Sequence, residues 1–468
     1  MIDKIEQNNI VKTLRQFFQN KNEHAYIVGG YLRDCMLDIH SSDIDIVTPK
    51  STTKTLAQEF ADKINGYFVE LDSINNIYRV VFENKLDYVD FATCVGNSID
   101  EDLKRRDFTI NAIAYDLADN RIIDVCNGQE DIKNGIIREI AKENITDDPI
   151  RILRAFRFQS MLGFELSSDL KNIIKEHATL LNTTAKERIN TELIKLFAGK
   201  NVVDAIHALD EYKILEMLIP EVKEIKKIPP NSHHHLPLIE HSIETVKQVQ
   251  IYYENAKGEV KTHFDELLFA GIPRIAYLKF AAFLHDVGKP ATWKIEPDTG
   301  RHRFIMHDTE GAKIIVPTLK NLKFSKKQIA YIQTIIKNHI YPASLVTTPE
   351  KNNKAYMRFY RKMGDEVIDL IAIAHADRLS AQGPAITKEI TDKNISGLKE
   401  LLDYYLESKN EIKPLPKLLD GKEIMYILNI KASPELGKII EALKEAQISS
   451  VVNTKDEAIK FVKEYKLY

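Results

Sequence analysis

Residues Gly29-Gly30-Tyr31-Leu32-Arg33-Asp34 and, after a short gap, Asp43-Ile44-Asp45 decide how this chain is read. The apolar run Ala25 to Val28 before the glycines reads as a strand, and Tyr31 to Leu37 can start a helix. Glycines at such a junction let a phosphate approach bare backbone N–H groups at a helix N-terminus. Arg33 adds a planar, permanently charged fork for phosphate oxygens. Asp43 and Asp45 stand two apart in a second strand-like run, Asp43 to Val47, so both face one side. Two carboxylates that close repel each other unless a cation lies between them. Mg²⁺ held by carboxylates and substrate phosphates is the usual solution in phosphoryl and nucleotidyl transfer. Either motif alone fits a surface turn with scattered acids; in order within 17 residues they point to nucleotide chemistry.

The bulk properties bound this further. A chain of 468 residues suggests two to four domains, and 44% hydrophobic with 28% charged residues is ordinary for a soluble globular protein. The formal net charge of −3 announces no global affinity for nucleic acid, so a bound polyanion needs a local basic groove. Cys35, Cys94 and Cys126 form no close pair in sequence, which fits reduced thiols in a cytoplasmic protein rather than a disulfide framework or zinc ribbon. Met1 to Gln19 has helix-like spacing without the apolar core of a secretory signal, and no stretch approaches 18 uninterrupted apolar residues, so no membrane partner is expected.

Residues 1–125 alternate short apolar runs with helical segments. The strand candidates are Ala25–Val28, Ile44–Val47, Tyr67–Leu71, Tyr78–Phe82 and Leu86–Ala92, giving an α+β head. From Asp131 to Leu218 the pattern becomes helical. A loop from Ile228 to Pro237 contains Pro-Pro and three consecutive histidines, and a second helical block runs from about Leu238 to Leu406. Lys413-Pro-Leu-Pro416 reads as a linker, followed by a lobe of short helices and turns from Leu418 to Tyr468.

Two further patches carry chemistry. Arg105-Arg106-Asp107-Phe108-Thr109-Ile110-Asn111 offers two arginines for a triphosphate and an aspartate for a ribose hydroxyl, though by itself it equally fits a solvated helix start. Asp90 is a candidate third carboxylate beside Asp43 and Asp45, the alternative being a strand-edge charge; Asp87 points to the other face. In Asp147-Asp148-Pro149-Ile150-Arg151-Ile-Leu-Arg154-Ala-Phe-Arg157-Phe, Asp before Pro marks a helix start. Asp148, Arg151, Arg154 and Arg157 recur every three residues, as ordinary ion pairs along a helix also can. A carboxylate beside a guanidinium has a useful property. Cytosine and adenine both present an exocyclic amine beside a ring-nitrogen acceptor, where guanine and uracil present a carbonyl. Asp148 with Arg151 can therefore select C and A over G and U without a template.

These segments, in this order, resemble class II tRNA nucleotidyltransferases, the bacterial CCA-adding enzymes and their poly(A) polymerase relatives. Asp131-Ile-Lys-Asn-Gly135-Ile-Ile-Arg138 and Lys186-Glu-Arg-Ile-Asn-Thr-Glu192-Leu are similar to further segments of that family. The resemblance implies a polymerase-β-like head over 1–125, an all-α neck and body over 126–230, an HD domain over 231–410 and a helical tail over 411–468. It implies that Asp43 and Asp45 hold catalytic Mg²⁺, beside which Asp90 stays the candidate third carboxylate. Gly29, Gly30 and Arg33 would hold the triphosphate, and Arg106 and Asp107 would lie near ribose and phosphates. Asp148 and Arg151 would read the base with Arg154 and Arg157 in support. The implied partners are tRNA, ATP and CTP. CC-only addition, A-only addition and poly(A) synthesis remain alternatives, and the segment Thr48 to Lys104 is expected to control the choice.

His285-Asp286 stands inside the apolar run Phe280-Ala-Ala-Phe-Leu-His-Asp-Val-Gly-Lys-Pro290, where both side chains need partners that a divalent metal supplies. With His241 before it and Asp377 after it, the order His…His-Asp…Asp resembles the HD phosphohydrolase superfamily. His307 and His339 match places where a second metal can bind there. The triple histidine His233–His235 is expected to be a loop feature that touches RNA phosphate. The Pro434-Glu-Leu-Gly437 turn is a candidate phosphate contact or packing only.

Overall fold

The computed structural model describes residues 2–21, 23–49, 52–96, 98–348, 353–411, 416–449 and 451–465. The chain forms two compact units, residues 1–218 and 219–468, a division that falls inside the expected body segment.

The first unit is built on a seven-stranded sheet. Its strands run in the order Tyr67–Asp72, Ile77–Val81, Tyr88–Thr93, Asp43–Thr48, Tyr26–Val28, Ala114–Asp116 and Arg121–Ile123. Asp43–Thr48 and Tyr88–Thr93 pair in parallel, with Asp45 opposite Asp90; the remaining pairs are antiparallel. Along Asp43–Thr48 the side chains alternate as a two-residue period requires. Ile44 and Ile46 are fully buried, and Asp43 and Asp45 turn to the other face. The apolar face is closed by helices Asn9–Lys21 and Thr53–Lys63, whose Phe17 and Phe60 rings meet at 5.3 Å, with Phe91 of the sheet 5.7 Å from Phe60.

The five strand candidates form within a residue or two of their expected bounds. Ala114–Asp116 and Arg121–Ile123 were not expected, because three-residue strands are too short to show an alternation. The stretch after Asp131 is helical but for two-residue strands Ile136–Ile137 and Glu165–Leu166, which pair with each other. Asp148 does not start a helix: it follows helix Lys142–Asp147, and the next helix, Ile150–Leu162, begins beyond Pro149.

In the second unit the helix Arg274–Leu284 is buried along its whole length, as a segment apolar on all sides must be. Helices Leu238–Asn255, Lys326–Asn338 and Val367–Ser380 pack around it. Two short hairpins, Leu267–Phe269 with Ile272–Pro273 and Trp293–Ile295 with His302–Phe304, interrupt the helical block. The segment after Leu418 consists of helices Gly421–Leu428, Pro434–Ile448 and Lys455–Glu464, around a small core that includes Ile424, Ile439 and Val462. Residues 413–415 of the expected linker lie outside the described residues. Among the described residues, no helix is long and apolar enough to cross a membrane.

Candidate active site and metal centre

The glycine turn forms as the sequence requires. Helix Gly30–Met36 starts at the end of strand Tyr26–Val28, and Gly29 between them has φ +78°, a conformation that side chains disfavour. A Cβ at Gly29 would also come within 3.1 Å of the Arg106 guanidinium. The turn opens into a cleft of about 510 Å³. Gly29, Gly30, Arg33, Asp43 and Asp45 line one part of it. Arg106, Asp107, Asp148, Arg151, Arg154 and Arg157 are among the residues that line the remainder.

Asp43, Asp45 and Asp90 bring carboxylate oxygens within 4.8 Å of one another. Burial, followed by the charges of Asp43 and Asp90, pushes the Asp45 carboxyl up to about 7. Arg79 clamps Asp90 through two hydrogen bonds of 2.7 Å, which fixes its orientation. Three converging hard oxygen donors that repel one another fit a divalent cation such as Mg²⁺.

Most of the cationic side chains are braced rather than loose. Arg33, expected to offer a free fork, donates to Asp34 at 2.9 and 2.7 Å and to Asn111 at 2.6 Å. Its guanidinium lies 5.0 Å from the Phe158 ring centroid. Arg105 and Arg106 share the buried carboxylate of Asp102; burial pushes its pKa up, but the two arginines hold it below the ordinary value. Asp107 is fully engaged. It accepts from Arg154 at 2.8 and 2.6 Å, from Asn111 at 3.0 Å and from the Phe108 N–H at 2.8 Å. That environment suits a positioning residue more than a free acceptor for a ribose hydroxyl. Glu192 pairs with Arg157 at 2.8 Å and with Arg154 at 3.5 Å. Asp148 accepts two hydrogen bonds from Arg188, and Arg151 stands 3.8 Å from it while donating to the Arg105 and Arg106 carbonyls.

Arg188, Glu192, Asn111 and Asp102 were given no role from the sequence. Arg188 and Glu192 sit in the segment Lys186–Glu192, whose charges alone do not reveal a partner some 40 positions away.

The second unit gathers the other predicted cluster. His285 caps the buried helix Arg274–Leu284, and Asp286 follows it. Asp286 Oδ2 lies 3.1 Å from His285 Nε2 and 3.4 Å from His241 Nε2; Oδ1 lies 3.1 Å from His307 Nε2 and 3.8 Å from His339 Nε2. Asp377 Oδ1 is 3.2 Å from His241 Nε2 and 3.7 Å from His285 Nε2. His285, His307 and His339 each place Nδ1 2.7 Å from the backbone carbonyl three residues earlier, leaving Nε2 to face the carboxylates. That outer contact orients imidazole for a metal.

The donor set fits one. Neither nitrogen of His241, not Oδ1 of Asp286 and not Nε2 of His285 has a hydrogen bond, although all are buried. Burial alone would depress His285, yet the Asp286 and Asp377 carboxylates lift it to about 10, so the centre favours positive charge. Two neighbours were not foreseen. Lys289 Nζ pairs with Asp286 Oδ2 at 2.5 Å, and His234 of the triple histidine places its ring 4.4 Å from that of His241. His234 thus adjoins this centre.

The chain is similar to known proteins along most of its length. Residues 25–138 match the Poly A polymerase head domain, 163–226 the probable RNA and SrmB-binding site of polymerase A, and 238–382 the HD domain. The A-adding tRNA nucleotidyltransferase of Deinococcus radiodurans is 30% identical, across 94% of this chain and 95% of that protein. The CC-adding tRNA nucleotidyltransferase of Thermus thermophilus is 29% identical, across 94% and 93%. The solved Thermotoga maritima CCA-adding enzyme, complexed with a CCA-bearing tRNA, shares the fold at a TM-score of 0.55 and 22% identity, across 97% of this chain and 94% of that one. The chain belongs to the tRNA nucleotidyltransferase family, with a poly(A)-polymerase-type head and an HD domain.

Proposed function

We propose that this protein adds cytidine and adenosine to the 3′ end of tRNA without a template, completing CCA. The observation that carries this is the meeting, in one cleft, of the Asp43–Asp45 pair, the glycine turn and the Asp148–Arg151 pair. The tRNA 3′-hydroxyl attacks the α-phosphate of CTP or ATP; the new P–O bond forms as the bond to pyrophosphate breaks. Mg²⁺ bound by Asp43 and Asp45, with Asp90 as third carboxylate, would neutralise phosphate charge and lower the pKa of the attacking hydroxyl. Gly29, Gly30, Arg33 and Arg106 hold the triphosphate. Asp148 accepts from the exocyclic amine and Arg151 donates to the ring nitrogen, which admits C and A alike. Arg188 holds Asp148 through two hydrogen bonds, while Arg154 and Arg157, braced by Asp107 and Glu192, support the nucleotide from the same cleft. The head spans 1–125, the neck and body 126–230, the HD domain 231–410 and the tail 411–468, and the enzyme serves cytoplasmic tRNA.

A second reading, addition of only CC or only A, has a specific observation behind it: the relatives from Deinococcus and Thermus that match along nearly the whole chain are named for partial addition. The HD centre, where His241, His285, Asp286 and Asp377 would hold a metal with His307 and His339 at a second position, is the candidate site for hydrolysis of phosphoesters such as 2′,3′-cyclic phosphates on damaged tRNA ends.

The deciding experiment incubates the protein with Mg²⁺, labelled CTP or ATP and three tRNAs lacking CCA, CA or A, and sizes the products on a sequencing gel. Completion of all three establishes CCA addition. Arrest after CC, or extension of only the last tRNA, establishes the partial activities. A long A ladder establishes poly(A) synthesis.

A further inference from the structure

The loop from Ile228 to Pro237 is held by backbone rather than left to move. Asn231 Oδ1 accepts from the His233 and His234 N–H groups at 3.0 and 3.2 Å, and the Asn231 N–H donates to the His234 carbonyl at 2.8 Å. The carbonyls of Ser232 and His233 accept from Ala385 and Gly383, both at 2.8 Å. Gly383 is required there, since a Cβ would come within 2.4 Å of the His233 carbonyl carbon. This staple fixes the His234 ring edge-on to His241.

The hydrogen bonds of that ring define its tautomer. Lys289 Nζ lies 3.1 Å from His234 Nε2 and 2.5 Å from Asp286 Oδ2. An ammonium can only donate, so His234 Nε2 accepts and the neutral ring carries its proton on Nδ1. His234 Nδ1 is buried and has no hydrogen-bond partner. The same holds for Nε and one terminal nitrogen of Arg378, next to Asp377. His234 Nδ1 is thus a buried donor without an acceptor beside a cluster whose carboxylates face the histidine Nε2 atoms, and an oxygen of a bound anion would supply that acceptor. Among the described residues, His234 belongs to none of the groups of three whose ligand atoms lie within 4.8 Å, so it stands beside the metal cluster and not within it.

We propose that His234 is a phosphate-binding residue of the HD centre, donating Nδ1–H to a phosphoester oxygen held next to the metal. The proposal rests on the HD centre holding a metal. The test compares the full chain with His234→Ala and His234→Asn after loading with Mn²⁺. Bound metal is measured by plasma mass spectrometry and inorganic phosphate affinity by calorimetry. An Asn amide can occupy the place of Nδ1–H, whereas Ala cannot. The expected result is equal metal in all three, phosphate affinity lowered about tenfold in the Ala variant, and affinity largely kept in the Asn variant. Unchanged phosphate affinity in the Ala variant, or lost metal in it, overturns the proposal while leaving the metal site standing. A wild-type protein that takes up no Mn²⁺ removes the metal reading, and this proposal with it. Should the Ala variant not fold, His234→Gln, whose amide lies one carbon further out, replaces it; equal phosphate affinity in the Gln and Asn variants is then the overturning result.

Discussion

Asp148 gives both carboxylate oxygens to the Arg188 guanidinium, at 2.8 and 2.9 Å, from a position just outside helix Ile150–Leu162. The pair leaves the remaining lone pairs of Asp148 for a base amine and holds the carboxylate at a fixed angle beside Arg151. Arg188→Ala is expected to raise KM for CTP and ATP about tenfold and to loosen discrimination against GTP and UTP, with kcat less affected. Single-nucleotide incorporation kinetics with the four nucleotides check this. Unchanged selectivity would reduce Arg188 to a surface ion pair.

Replacing Asp45 with Asn removes one charge from the trio formed with Asp43 and Asp90. Incorporation is expected to fall about a thousandfold, the equivalent of roughly 4 kcal/mol in the barrier, with little change in tRNA binding. Rapid-quench incorporation and a filter-binding assay on the same preparation separate the two effects. A loss of only a few-fold would count against metal-assisted transfer at this pair.

Asp90 distinguishes a third ligand from a brace. It is clamped by Arg79 and shares a cluster with Asp43 and Asp45. If it supports the metal, Asp90→Asn raises the Mg²⁺ concentration needed for half-maximal activity, and excess Mg²⁺ restores part of the rate. A rate loss that no Mg²⁺ concentration repairs would assign it to the sheet edge instead.

Chelation tests the HD centre. Asp286 and Asp377 are held far below the ordinary carboxylate range in spite of burial, because the surrounding histidines and Lys289 oppose it. Metal stripped by EDTA leaves this buried charge compensated only by those side chains. The melting transition of the second unit should drop by several degrees on stripping and recover on adding Mn²⁺, as scanning calorimetry would register. A transition indifferent to both treatments would argue for a metal-free HD fold.

Lys279 gives a pH signature away from both sites. It is fully buried on helix Arg274–Leu284 and donates to Gln250 at 2.7 Å. Burial pulls its pKa down from 10.5 to about 7, opposed only in part by Glu254. Because the folded value lies below the unfolded one, the unfolded chain binds more protons between pH 7 and 10.5. Stability from this group therefore rises with pH across that window, and its cost is complete below pH 7. Lys279→Met should raise the unfolding midpoint more at pH 6 than at pH 10. An equal gain at both would show that the shift is small.

Much of this protein was legible as sequence because its motifs are local. The glycine turn, Asp43 and Asp45 lie within one strand–helix–strand passage, and a period of two places the acids opposite Ile44 and Ile46 with no tertiary information. The adjacent His285 and Asp286 likewise stand out in an apolar run that has no other use for them. Expectations weakened where a role depends on a partner distant in sequence. Arg33 is a phosphate fork by type, but Asn111 and Asp34 brace it. Asp107 suits a ribose by type, but Arg154 fills its carboxylate.

Periodicity and residue types at short spacings were enough for the α+β head and the helical remainder, and the resemblance of the ordered motifs for the family. It took the packing of the folded chain to set Asp90 opposite Asp45, Arg188 against Asp148 and His234 against the HD cluster. Strand register and long-range polar contacts are set by packing among segments 40 or more residues apart. The free energy that selects them is spread over the buried core, and no local pattern encodes it.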